Sequence, residues 1–164
     1  MMSERIEKKA EEVLSALNVK SIPISVEEIA NQLKIKIGRA PSSEFSGMLI
    51  RKDGRALMGI NNSEGTARQR FTIAHELGHY FLHPQNDTFV DYRQNEKEPR
   101  NHREREADMF AAALLMPRKE VTKDFQKIVR KGFSEIELHK LAGKYEVSDK
   151  AMRFRLVNLN MLLG

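Results

Sequence analysis

Residues 70–83, RFTIAHELGHYFLH, admit few conformations. At about 100° per residue, Phe71, Ala74, Leu77, Gly78 and Phe81 fall on one apolar stripe, the mark of a helix with one face in a core. His75 and His79 flank that stripe one turn apart, so their side chains are neighbours on the helix surface. Gly78 lies inside the pattern although glycine costs about 1 kcal/mol against alanine in a helix, which argues for close packing against another element. Pro84 stops the helix.

Two imidazoles at i and i+4 can turn toward one cation at about 2.0–2.1 Å, the range for zinc. Glu76 follows His75 directly, so it is offset by about 100° and reaches water beside the ion without ligating it. This is the H-E-x-x-H arrangement, in which the glutamate takes a proton from water attacking a peptide carbonyl. The chain has no cysteine, so thiolate sites and disulfides are excluded and His, Asp or Glu must supply every ligand. In a chain of this composition the motif arises by chance in roughly one or two cases per hundred. A third ligand is therefore needed.

His83 does not suit that role, because eight residues of straight helix span about 12 Å from His75. A metzincin would need glycine at position 82 and histidine at position 85, where this chain has Leu82 and Gln85. His83 is better placed to meet free carbonyls at the helix C-terminus or to act as a polar group near a cleft. The ligand is expected from the helix read over 103–117, REREADMFAAALLMP, whose buried stripe is Ala107, Phe110, Ala111 and Leu114. Glu104 lies about 60° from the direction of Ala107 and Glu106 about 100° away on the other side, which favours Glu104 and leaves Glu106 as the alternative. Asp108, four residues after Glu104, shares its face and can accept the outer N–H of a ligating histidine.

Around these two helices the chain reads as helix over 3–17, a short helix over 26–33 started by Ser25 and Glu28, and a strand in KIKIGRA. SGMLIRKDGRALMGIN reads as a hairpin turning at Asp53-Gly54. Its second strand, 56–61, is expected at a sheet edge over the cleft, where it would hold an extended substrate by main-chain hydrogen bonds, with Gly59 permitting close approach; the alternative is a plain core hairpin. Residues 84–102 are polar and aperiodic and read as a long surface loop. Three more helices follow over 120–132, 134–147 and 148–162. The order implies an α+β fold with a small antiparallel sheet, organised as a domain over 1–117 and a helical subdomain over 118–164.

Residues 118–164 hold 11 of the 28 Lys/Arg but only 6 of the 23 Asp/Glu, so the net charge of +5 resides there. KLAGKYEVSDKAMRFRL has the shape of a helix-turn-helix, with Val147 closing the turn and Ser148 as N-cap. That segment either reads DNA or packs as a helical support, with Leu141, Ala142, Tyr145, Val147, Ala151, Leu156 and Leu159 facing inward. The longest apolar run, MFAAALLM, is too short to span a bilayer, and the N-terminal stretch lacks the apolar region of a signal peptide. A cytoplasmic protein is expected.

The stretches RFTIAHELGHYFLH (70–83) and EREADMFAAALLMP (104–117) resemble the ImmA/IrrE family of metallopeptidases. The second motif makes the resemblance more specific than H-E-x-x-H alone. It implies a zincin-like domain in which His75, His79 and Glu104 hold zinc and Glu76 is the catalytic base. It further implies a cytoplasmic endopeptidase that cuts a helix-turn-helix repressor and so de-represses mobile-element or stress-response genes. The competing expectation is a DNA-binding transcription regulator with a vestigial or structural metal site. Three ligands with a position left for water favour the enzyme, because a structural site is normally closed by four.

Overall fold

The computed structural model describes residues 1–84, 88–92 and 99–164. The elements run α1 (Met2–Ala16), α2 (Val26–Gln32), β1 (Lys36–Ala40), β2 (Phe45–Lys52), β3 (Arg55–Asn61), α3 (Thr66–Leu82), β4 (Thr88–Tyr92), α4 (His102–Leu115), α5 (Arg118–Val129), α6 (Glu135–Tyr145) and α7 (Asp149–Asn158). The fold is α+β, as the order of patterns implies. No helix among the described residues is long and apolar enough to cross a membrane.

Local chemistry sets the boundaries. Ser25, Asn101 and Ser148 cap α2, α4 and α7, each accepting a backbone N–H of the first turn. A reciprocal capping box forms at Ser134 and Glu137, at the start of α6. Asp53 and Gly54 both adopt positive φ, 54° and 72°, the pairing that lets a two-residue turn follow the twist of its strands. The turn aligns Lys52 with Arg55 and fixes the hairpin register.

The sheet has four strands in the order β1-β3-β2-β4. β2 pairs antiparallel with both β3 and β4, but β1 joins β3 in parallel, so the sheet is mixed rather than wholly antiparallel. Two further expectations are corrected here. Strand β3, expected at an edge over the cleft, is central, because β1 takes its second row of hydrogen bonds. Gly59 faces Met48, whose Cγ lies 3.0 Å from where a Cβ would stand, so the glycine serves sheet packing. The second correction is β4, an edge strand inside the segment read as loop. Residues 85–87 and 93–98 of that segment lie outside the described residues.

Helices α3 and α4 cross closely behind the sheet. A Cβ on Gly78 would stand 3.0 Å from both the Cα and the carbonyl oxygen of Ala107, so only glycine allows this approach. Gly47 of β2 does the same for the sheet, since its missing Cβ makes room for Thr72 of α3. One apolar core runs from Ile6 and Ile29 through Ile73, Leu77, Phe110 and Leu114 to Leu141 and Leu156.

Two buried arginines tie the C-terminal helices to the rest. Arg155 of α7 forms a bidentate pair with Glu7 of α1, at 2.8 and 2.6 Å, and donates from Nε to the Met116 carbonyl at 2.9 Å. Arg70 of α3 donates to the carbonyls of Ile24, Tyr145 and Glu146 at 2.8, 3.3 and 3.2 Å. Part of the basic excess of 118–164 is thus consumed internally. Of the inward-facing positions expected there, Leu141, Ala142, Tyr145, Val147 and Leu156 are buried.

Candidate metal centre

The close α3–α4 contact brings His75, His79 and Glu104 together. His75 Nε2 lies 2.9 Å from Glu104 Oε2, and His79 Nε2 lies 3.1 Å from Glu104 Oε1. Both imidazoles are 1% exposed. The local sequence explains the convergence: the histidines are one turn apart on α3, and Glu104 is in the first turn of α4, where the Asn101 side chain accepts its backbone N–H at 2.9 Å. The free N–H groups of that first turn also favour an anionic side chain.

The outer nitrogens are held as well. Asp108 Oδ1 meets His75 Nδ1 at 2.8 Å, as the shared face with Glu104 implies. An ionised carboxylate can only accept, so Nδ1 carries a proton, and the neutral imidazole, the form a metal binds, has its lone pair on Nε2. His79 Nδ1 meets His83 Nδ1 at 2.9 Å, and His83 Nε2 meets Glu106 Oε1 at 3.3 Å. If each N–H points outward along this relay, His79 Nε2 also keeps its lone pair. Glu106, the alternative third ligand, instead ends that relay and bonds Arg5 at 2.9 Å. His83 caps α3 and steadies His79 rather than joining the inner group.

Of the five side-chain atoms buried without a hydrogen-bond partner among the described residues, three lie at the heart of this group: His75 Nε2 and both carboxylate oxygens of Glu76. His75 Nε2 approaches Glu104 Oε2 off the direction of a hydrogen bond. Burying unpaired polar groups is costly, and convergent lone pairs in a dry site are satisfied by a cation. The donors fit one: two imidazoles, neutral once a cation displaces any second proton, with a carboxylate suit zinc, and the carboxylates of Glu76, Asp91, Glu104 and Asp108 surround the histidines.

Electrostatics in the protein without metal express the same design. Burial disfavours a charged His75, but Asp108, Glu104, Glu76 and Asp91 outweigh it and raise the imidazole to about 10. Burial holds His79 below its ordinary value. Burial would raise Glu104, yet the close imidazoles of His75 and His79 hold its carboxyl well below the usual range. Glu76 is pushed up to about 8 by burial, opposed by His75. A divalent cation beside it acts in the same direction as His75 and stabilises the carboxylate.

Sequence reasoning missed three residues of the site, all within 84–102. Phe89 of β4 stacks on His79 with ring centroids 4.0 Å apart. Asp91, two residues on, is buried and with His75 and Glu76 makes a second group able to share an ion. Arg100 places Nε 2.7 Å from Asp108 and Nη2 3.0 Å from Glu104. The only signal for β4 was Phe89 and Asp91 at i and i+2, and the aspartate breaks the apolar alternation that marks a half-buried strand.

Comparison with known proteins agrees with the geometry. A family model described as the IrrE N-terminal-like domain of peptidases matches residues 30–157. The chain belongs to the ImmA/IrrE family of metallopeptidases. The match runs past residue 117 through α5, α6 and most of α7. Metallopeptidase ImmA of Bacillus subtilis (strain 168) is 32% identical over 114 residues, covering 70% of this chain and 66% of the relative, just under two thirds of its length. Membership of the ImmA/IrrE family implies a metal ion, and His75, His79 and Glu104 form a group able to hold one.

Proposed function

We propose that this chain is a zinc-dependent endopeptidase, with His75, His79 and Glu104 holding the ion and Glu76 acting as general base. The observation that carries the reading is the convergence of two buried imidazole nitrogens and a carboxylate beside a second carboxylate, Glu76, whose oxygens have no hydrogen-bond partner among the described residues. Zinc bound there supplies Lewis acidity toward water and the scissile carbonyl. Glu76 accepts the proton of the attacking water at its carboxylate and passes it to the departing amine. Burial raises the proton affinity of the Glu76 carboxyl, which favours its taking the proton of the water. Asp108 and the His83–Glu106 relay hold the imidazoles in the tautomer that faces the ion. Edge strand β4, rather than β3, offers main-chain groups beside His79 for an extended substrate.

On this reading residues 1–117 are the catalytic domain and 118–164 a helical subdomain that supports it. On the same reading the substrate is a cytoplasmic helix-turn-helix repressor, as the resemblance of the two motifs implies. The test combines the zinc-loaded chain with a candidate helix-turn-helix repressor and follows the products by mass spectrometry. One metal-dependent cut, absent with Glu76→Gln at full zinc content, is expected. Equal cleavage by Glu76→Gln, or comparable rates on unfolded casein, would contradict the proposal.

A further inference from the structure

Between α3, α4 and α7 lies a groove of about 360 Å³ that opens beside the histidine cluster. Its walls are Phe71 of α3, Met109 and Ala112 of α4, and Ala151 and Phe154 of α7. Its remaining lining includes Asp91 and Asp108, the latter bonded to His75 Nδ1. Phe71 is one helical turn before His75, and Ala112 is one turn after Asp108. The groove therefore continues along the same two helix faces that build the metal centre, and a chain lying across one reaches the other within a residue or two at about 3.3 Å per residue.

The lining chemistry limits what fits. Five carbon-rich side chains form the walls, and Phe154 is 59% exposed although it is a large aromatic ring. Such exposure at the mouth of a concave site marks an unfilled contact, and the volume is near the lower end of the roughly 300–1,000 Å³ range of binding pockets. Three cations stand among the lining residues, of which Arg100 is held by Asp108 and Glu104 at 2.7 and 3.0 Å. Lys150 is exposed and has no ion-pair partner among the described residues, while Arg68 is 46% exposed with Glu64 at 3.3 Å. The α7 wall is fixed in place by the buried Arg155–Glu7 pair, so the groove's width is set by the fold.

We propose that this groove is the specificity subsite of the peptidase: it receives a large apolar side chain of the substrate polypeptide, and an adjoining substrate carboxylate meets Lys150 and Arg68. The inference rests on the reading that peptides are cut at the neighbouring centre. It gives α7 a direct part in substrate selection. A wall of alanines, methionine and phenylalanines gains from burying Phe, Leu or Met and gains nothing from a serine side chain. Discrimination per missing apolar group in such pockets is about 10–200-fold.

The test is binding of short probes to the zinc-loaded Glu76→Gln chain labelled at alanine and methionine methyls, read by NMR. N-acetyl-Phe-Asp-amide is expected to shift the methyls of Met109, Ala112 and Ala151. N-acetyl-Ser-Asp-amide is expected to bind at least about tenfold more weakly. Ala151→Leu and Ala112→Leu, each checked for a native spectrum, fill the groove from opposite walls, and both should abolish the shifts. Lys150→Glu should weaken the Phe-Asp probe and leave N-acetyl-Phe-Asn-amide unchanged. Absence of shifts with the Phe-Asp probe, equal binding of the serine probe, or undiminished shifts in both filled variants would overturn the subsite. These readouts need no turnover, so failure of the wild-type chain to cut any peptide would refute the peptidase reading while leaving the groove's ligand preference separately decided.

Discussion

Replacing Gly78 with alanine separates the helix that carries the histidines from the helix that carries Glu104. The new Cβ would stand 3.0 Å from the Cα and carbonyl oxygen of Ala107 and 3.3 Å from its Cβ. Backbone atoms cannot rotate away, so α3 and α4 must part by a few tenths of an ångström. Over-packing of this kind costs about 1–3 kcal/mol. Alanine returns about 1 kcal/mol of helix propensity, leaving a net destabilisation of about 0–2 kcal/mol. The larger effect falls on the site, because His75 and His79 bracket Gly78 while Glu104 lies one turn before Ala107, and their contacts of 2.9 and 3.1 Å have no slack. Zinc affinity should fall about 10- to 100-fold, as when a supporting contact of a metal site is lost. Competition with a chromophoric chelator measures that affinity, and urea unfolding of the metal-free protein measures stability. Gly143→Ala in α6 is the control: a Cβ there meets nothing within 4 Å, so it should stabilise by up to about 1 kcal/mol. Unchanged zinc affinity in Gly78→Ala, or stabilisation equal to that of Gly143→Ala, would refute the argument.

Asp108→Asn removes the carboxylate that orients His75, and should weaken zinc binding about 10- to 100-fold without changing its stoichiometry; calorimetric titration reads both. His83→Phe breaks the relay to Glu106 and should weaken zinc in the same range, whereas Arg5→Gln, at the exposed end of that network, should change affinity by less than about threefold. Glu7→Gln uncouples Arg155 in the core and should cost about 3–5 kcal/mol in urea unfolding. Asp124 is raised by burial, but its 2.7 Å contacts with Lys144 and Tyr145 more than offset this and hold it below its ordinary value. Its ionised form therefore stabilises the fold above the unfolded carboxyl pKa of about 3.9, and that stability is lost as pH falls through the lower folded value. The stability difference between wild type and Asp124→Asn should be about 1–3 kcal/mol at neutral pH and shrink below about pH 4, as urea titrations at several pH values can check.

How much could be read in the sequence depended on whether the signal was local. Periodicity placed α3 and α4 and their inward faces, and it ranked Glu104 over Glu106, the order in which the structure brings them to the histidines. Gly78 announced a close crossing before its partner, Ala107, was known. Pairing between strands is set by distant backbone, and no pattern within 56–61 distinguishes a central strand from an edge. β4 was obscured because one of its two inward positions is Asp91, which turns toward the site instead of an apolar core. The basic count of 118–164 suggested a charged surface, but Arg155 is spent in the interior against a glutamate more than a hundred residues away.

Zinc-edge X-ray absorption on the protein loaded with one equivalent of zinc tests the centre most directly. The account predicts two imidazole nitrogens at about 2.0–2.1 Å and the remaining shell of oxygen from Glu104 and solvent. It also predicts that Glu104→Ala loses its carboxylate scattering while Glu106→Ala leaves the spectrum unchanged. A spectrum insensitive to Glu104→Ala, or one lacking the imidazole pair, would contradict the assignment of His75, His79 and Glu104.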